Sequence, residues 1–177
     1  PDSNGVDDWF AIHSAPTLYN PFSDGRPSNA ESDNPYYENG QRATDNLEGD
    51  TSRIIMDRAL PFIRDAAKSD QPFVAYIWFN TPHTPLAGNP KYQDLYHKWE
   101  LYGPIVDMDE QVGRLREALR ELGIADNTLL WFSSDNGPAI GGAGPYYGAK
   151  RHLFEGGIRV PTFVEWPGTV PAGTITE

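Results

Sequence analysis

The sequence predicts an α/β fold: part of a mostly parallel sheet flanked by helices, and incomplete. Three observations carry the prediction. Phe73-Val74-Ala75-Tyr76-Ile77-Trp78-Phe79 is a continuous apolar, β-prone run, the pattern of a central strand buried on both faces. Met108, Val112, Leu115, Leu119 and Leu122 recur at helical spacing and form one apolar stripe on a helix from Trp99 to Leu122. Asn127-Thr128-Leu129-Leu130-Trp131-Phe132 then reads as a second short strand. Strand, helix, strand in this order is a βαβ unit, which predicts a parallel pair with a right-handed crossover.

Residues 1–50 are expected to be irregular and loop-rich, with short strands at most. Asn20-Pro21, Asp24-Gly25, Asn34-Pro35 and Asn39-Gly40 break the chain at short intervals. Residues 51–168 form the α/β core. Asp50 or Thr51 caps a helix that carries Ile54, Ile55, Ala59, Phe62 and Ile63 near helical spacing. Pro61 removes a backbone donor inside that pattern and predicts a kink. Gly123 ends the second helix, residues 133–150 are a glycine-rich loop, and a last strand spans about Pro161 to Glu165.

The 177 residues suit a single domain. With 14 Lys+Arg against 25 Asp+Glu the net charge is −11, which leaves no basic stripe to neutralise a nucleic-acid backbone. The chain has no cysteine, which excludes a disulfide framework, a thiolate zinc site and a cysteine nucleophile within these residues. No run of ~18 apolar residues exists to span a bilayer. The chain begins Pro1-Asp2-Ser3, without a signal-peptide pattern, and is expected to be an internal piece of a longer protein.

Open parallel sheets keep their chemistry outside the carboxyl ends of the strands. One predicted strand runs into Asn80-Thr81-Pro82-His83-Thr84-Pro85, the other into Ser133-Ser134-Asp135-Asn136-Gly137. One crossover joins these strands, so His83, Asp135 and Asn136 form a candidate constellation. Asp135 and Asn136 offer hard oxygen ligands suited to calcium or magnesium, yet Asp-Asn-Gly is also ordinary turn chemistry. His83 reads as a general acid or an anion ligand, or as a loop histidine held by one backbone hydrogen bond. Lys150 follows the glycine-rich loop, where an isolated lysine is by itself a solvated charge.

In conjunction these segments resemble the formylglycine-dependent sulfatases of the arylsulfatase type, in the alkaline phosphatase superfamily. Phe79-Asn80-Thr81-Pro82-His83-Thr84-Pro85 is similar to their Pro-His-x-Pro loop. Val106 through Leu115 resembles their following helix, and Thr128 through Gly137 their strand and Ser-Asp-Asn-Gly loop. Gly148 through Pro161 resembles their Gly-x-Lys-x4-Glu-Gly-Gly-x-Arg-x-Pro segment, and Asp7-Asp8-Trp9-Phe10 a further family stretch. The resemblance implies an alkaline-phosphatase-like fold. It makes Asp135 and Asn136 two of four protein ligands of one calcium ion. His83 would help protonate the leaving oxygen of a sulfate ester, and Lys150 would contact a sulfate oxygen. Glu155 and Arg159 are expected to pair and brace the Gly156-Gly157 turn. The substrate implied is a sulfate ester, such as a sulfated carbohydrate or an aryl sulfate, and the location implied is periplasmic, extracellular or lysosomal.

The family's formylglycine, made from Cys or Ser in a Cys/Ser-x-Pro-x-Arg motif, and its first calcium-binding Asp-Asp pair are expected outside this segment. Ser14-Ala15-Pro16-Thr17-Leu18 has Leu where the motif requires Arg. Asp7-Asp8 follows no buried strand, and Lys98-Trp99-Glu100 has Glu where the family has His, within a predicted helix. Arg151 departs from the family's usual Gly. The expected whole is a partial catalytic domain that lacks its N-terminal nucleophile segment and its C-terminal subdomain, and is inactive alone. Two other readings compete: a phosphoesterase or phosphonate hydrolase of the same superfamily, against which Asn136 argues, and a non-catalytic carbohydrate-binding relative. Specificity is expected in residues 19–37, after His83, and in 140–147, with Tyr146 and Tyr147 at the rim.

Overall fold

The structure is a computed structural model that describes residues 5–22, 34–69 and 71–176. Most of the 19–37 segment read above as a specificity loop lies outside the described residues. The chain divides into two compact units, Pro1–Leu122 and Gly123–Glu177.

The first unit opens with a small antiparallel sheet, β1 (Phe10–Ile12), β2 (Tyr36–Glu38) and β3 (Gln41–Arg42), in that spatial order. Asn39-Gly40, at φ 47° and 82°, makes the β2–β3 turn. Two successive left-handed residues match the twist of a tight hairpin, which is why Asn-Gly occurs there. One face of this sheet supplies a core. Phe10 stacks on Tyr36 at 4.6 Å, Phe22 meets Tyr36 edge-on at 6.1 Å, and Ala43 and Ile54 close the cluster.

Helix α1 (Thr51–Ala66) starts where predicted: Asp50, with extended backbone, accepts the Ser52 N–H at 2.7 Å. It runs on through Pro61 as one helix. Pro61 lies on the exposed side, away from the packed residues Ile54, Met56, Leu60 and Ile63. Helix α2 (Trp99–Glu121) packs on α1. Leu115, Ala118 and Leu119 are buried, and Arg114 bridges to Asp57 of α1 at 2.8 Å. Lys98 is not helical but sits in the left-handed region just before Trp99.

Residues 73–79 differ from the expectation. The segment pairs with no strand among the described residues, and Val74, Tyr76 and Trp78 are 73%, 78% and 81% exposed. Phe73, Ile77 and Phe79 are half-buried, and Phe73 meets Phe62 of α1 edge-on at 6.0 Å. The run therefore has one half-buried side, joined to α1 through Phe73, and one bare side. Burial on both faces needs partner strands, and no described residue supplies them.

In the second unit, β4 (Leu130–Ser133) pairs antiparallel with β5 (Thr162–Glu165). The expected parallel pair is not formed among the described residues. Trp131 is 64% exposed on this two-stranded ribbon. A single-turn helix, α3 (Glu155–Ile158), precedes β5.

Candidate functional site

His83 sits at the tip of a loop anchored at its root. Asn80 donates from Nδ2 to the Tyr36 hydroxyl at 3.2 Å, and the hydroxyls of buried Thr81 and Ser52 lie 3.1 Å apart. The small sheet and α1 thus both hold the start of the loop. The His83 N–H then closes a turn onto the Asn80 carbonyl at 2.8 Å, between the cis peptide bonds Thr81-Pro82 and Thr84-Pro85. His83 is exposed, and its Nδ1 lies 2.6 Å from the Thr84 carbonyl oxygen. A carbonyl only accepts, so Nδ1 carries the proton, and Nε2 is left without a protein partner among the described residues.

The second unit carries Asp135, Asn136 and Lys150. Strand β4 delivers Ser134-Asp135-Asn136 at its carboxyl end, and the Ser134 hydroxyl donates to the Asn136 carbonyl at 3.0 Å. Glycines lock this loop against the segment bearing Lys150. The Gly137 N–H donates to the Gly157 carbonyl at 2.9 Å, and a Cβ on Gly137 would collide with the Gly156 carbonyl oxygen. A Cβ on Gly156 would strike the Gly148 carbonyl, and one on Gly157 the His152 carbonyl. Three backbones meet where side chains would stand, so the Glu-Gly-Gly sequence is a packing requirement. The Gly156 N–H donates to the Tyr147 carbonyl at 2.8 Å, and the Lys150 N–H to the Pro138 carbonyl at 3.1 Å.

On this frame the candidate side chains are idle. The Asp135 carboxylate, the Asn136 amide and the Lys150 ammonium have no side-chain partner among the described residues; Asp135 is exposed, the other two half-buried. The two oxygens of Asp135 and Asn136 suit a hard cation, but a calcium site takes about six to eight. No group of three or more His, Cys, Asp or Glu is gathered for a metal among the described residues. The structure thus brings together three of the four predicted residues in one unit, with His83 in the other.

The expected Glu155–Arg159 pair forms at 3.5 Å, and the Arg159 guanidinium also lies over the Tyr146 ring at 4.9 Å. Both charges are well exposed, so the pair orients more than it stabilises. Arg151, which departs from the family's usual Gly, carries a feature the sequence alone does not state. It takes φ 76°, the left-handed region, which costs an L side chain about 1–2 kcal/mol. Of the apparent matches set aside above, Asp8 accepts from Asn39 Nδ2 at 2.6 Å beside the β2–β3 turn, a structural contact.

The sequence model of the Sulfatase family matches residues 17–177. The chain belongs to the sulfatase family. Human N-acetylgalactosamine-6-sulfatase is 30% identical over 190 residues, covering 100% of this chain and 36% of that protein. Rat arylsulfatase G is 34% identical over 180 residues, covering 85% of this chain and 33% of that one. Among solved structures, Ps i-CgsB in complex with k-i-k-neocarrahexaose superposes with a TM-score of 0.83 at 28% identity, over 98% of this chain and 42% of the other. The PsFucS1 sulfatase from Pseudoalteromonas sp. gives 0.62 at 30% identity, over 69% and 26%. This sulfatase chain therefore has the alkaline-phosphatase-like α/β fold, and spans about a third of the length of the curated relatives it matches.

Proposed function

We propose that the polypeptide carrying this chain hydrolyses sulfate esters, and that these residues supply half of its active site. The observation that carries the reading is the set of idle groups. Asp135, Asn136 and Lys150 stand without side-chain partners on a frame locked by backbone contacts, and His83 presents a free Nε2 from a doubly anchored loop. Side chains held in place without protein partners are arranged for something outside the protein.

Their chemistry fits an ester that builds negative charge on its leaving oxygen. The Lys150 ammonium holds a sulfate oxygen. His83, protonated on Nε2 as well as Nδ1, gives a proton to the leaving oxygen and keeps its orientation through Thr84. Asp135 and Asn136 would hold a calcium ion together with ligands from elsewhere, and that ion would supply positive charge beside the sulfate group. The nucleophile, a formylglycine, is assigned to sequence outside these residues, as are the remaining metal ligands and a C-terminal subdomain. The substrate class is a sulfated carbohydrate, supported by the likeness to a protein whose structure holds a neocarrahexaose and to an N-acetylgalactosamine-6-sulfatase. An exported or lysosomal location is the reading that the resemblance to the sulfatases favours; no helix among the described residues is long and apolar enough to cross a membrane.

The test is hydrolysis of an aryl sulfate and the matching aryl phosphate by the full polypeptide, matured with a formylglycine-generating enzyme. Sulfate cleavage is expected, with His83→Ala and Lys150→Ala each lowering kcat about 10²–10⁴-fold. Cleavage of phosphate alone, or near-normal turnover in both variants, would overturn the assignment.

A further inference from the structure

We propose that Arg151 binds a second anionic group of the substrate, so that the enzyme selects saccharides bearing another sulfate or a carboxylate besides the ester it cleaves. The proposal rests on the sulfatase reading and adds a specificity residue to it.

Arg151 stands third in a turn closed by the His152 N–H donating to the Ala149 carbonyl at 3.0 Å. Its φ of 76° is the conformation for which such a turn calls on glycine. The chain uses glycine nearby, at 148, 156 and 157, where close contacts or a positive φ call for it, but has arginine here. A strained residue persists when something outside its own backbone requires it. No contact within the protein does so: the Arg151 guanidinium makes no hydrogen bond, ion pair or ring contact among the described residues. Arg159 is the contrast, held by Glu155 and by the Tyr146 ring. Gly123–Glu177 contains three Lys and Arg in all, so its two unpaired cations are the neighbours Lys150 and Arg151.

The surroundings fit a sugar. Tyr147 and Phe154, at the base of the same segment, meet edge-to-face at 4.8 Å, and both remain exposed. An exposed aromatic pair offers the apolar face of a pyranose ring a wall to lie against. With Lys150 on the ester being cleaved, the next residue along the turn meets an anion elsewhere on the saccharide. The planar guanidinium matches two oxygens of a sulfate or carboxylate at once, which a lysine in its place would not.

The full polypeptide is compared with Arg151→Gly and Arg151→Lys on three saccharides: a disulfated disaccharide, its monosulfated counterpart, and a monosulfated disaccharide containing a uronate. The wild type is expected to prefer the substrates with a second anion, the better of the two identifying that group. Arg151→Gly should lower the preference in kcat/KM about tenfold, or about 1.4 kcal/mol, chiefly through KM. Arg151→Lys should recover part of it. Arg151→Gly should melt no lower than wild type, because glycine relieves the φ, so the loss cannot be unfolding. An unchanged preference in Arg151→Gly, or no preference in the wild type, overturns the proposal. If no sulfate ester is turned over, the sulfatase reading has failed. Calorimetric titration with the disulfated disaccharide then decides the role of Arg151, and equal affinity in both proteins, or none in either, overturns it.

Discussion

Single glycines set the geometry of the candidate site. Gly137, Gly156 and Gly157 let three stretches of backbone touch, and the Asp135-Asn136 loop is pinned to the Lys150 segment through them. A methyl at 137 cannot be absorbed by a flexible side chain, because it meets a carbonyl and a neighbouring Cα. Gly137→Ala is therefore expected to cost about 1–3 kcal/mol by overpacking. It should also displace Asn136, so that activity falls further than the loss of folded protein explains. Thermal melting followed against turnover per folded molecule would show it, and a variant with wild-type melting would mean the contact is not rigid. Asp135→Ala tests the other side of the residue argument. It removes an exposed carboxylate with no partner among the described residues, so stability should hold within about 0.5 kcal/mol while the calcium content of the full polypeptide drops. Retention of calcium would remove Asp135 from the ligand set.

Helix α1 begins on a buried titratable cap. Asp50 caps it, is 4% exposed, and has one carboxylate oxygen, Oδ2, without a partner. Burial, opposed by the Ser52 hydrogen bonds and aided by the nearby charge of Asp107, pushes its pKa from 3.8 up to about 6. A group whose folded pKa is raised contributes stability that is present at low pH and lost as pH rises through about 6. The loss amounts to about 3 kcal/mol when complete. Asp50→Asn keeps the cap acceptor and carries no charge, since Asn caps as well as Asp. It should be more stable than wild type at pH 8 by up to that amount, with the advantage down to about 0.5 kcal/mol by pH 4. Denaturant titrations at the two pH values decide it; an equal difference at both would place the effect in packing rather than charge. This cap was legible in the sequence because capping is local: Asp50, the start of α1, the end of α2 before Gly123 and β5 near Pro161 all follow from neighbouring residues. The environment of Phe73–Phe79 was not legible, because whether a strand is paired depends on residues far away in the chain. The site shows the same division. His83, Asp135, Asn136 and Lys150 were marked by their motifs, whereas Arg151 stood out only as an arginine where the family usually has Gly, and the strain it bears is a property of its backbone angle.

At the scale of the molecule, charge and apolar surface both point beyond these residues. The net charge of −11 is unevenly divided: Gly123–Glu177 holds three Lys and Arg and five Asp and Glu, a balance of −2, which leaves −9 in Pro1–Leu122. The unit with Lys150 and Arg151 is thus close to neutral, and the long-range repulsion of an anionic substrate arises mainly from the other unit. The apolar surface is more telling. Val74, Tyr76 and Trp78 form one bare side of an extended, unpaired segment, and Tyr76 stacks on Trp78 at 5.8 Å. Large rings in an extended row with open backbone groups are what a sheet interior presents before its neighbours are added. The chain covers 36% of human N-acetylgalactosamine-6-sulfatase, so in a full sulfatase the remaining sequence is available to cover this row. The chain produced alone is therefore expected to self-associate, to bind an apolar dye, and to cleave no aryl sulfate. In the full polypeptide the Trp78 ring should be shielded, and the difference in acrylamide quenching between wild type and Trp78→Phe isolates that ring from the other four tryptophans. Strong quenching of Trp78 in the chain alone and weak quenching in the full polypeptide would establish that the row is an internal strand of the sheet. Equal quenching in both, or sulfate cleavage by the chain alone, would mean that these residues already form a complete domain and that the second half of the site lies within them.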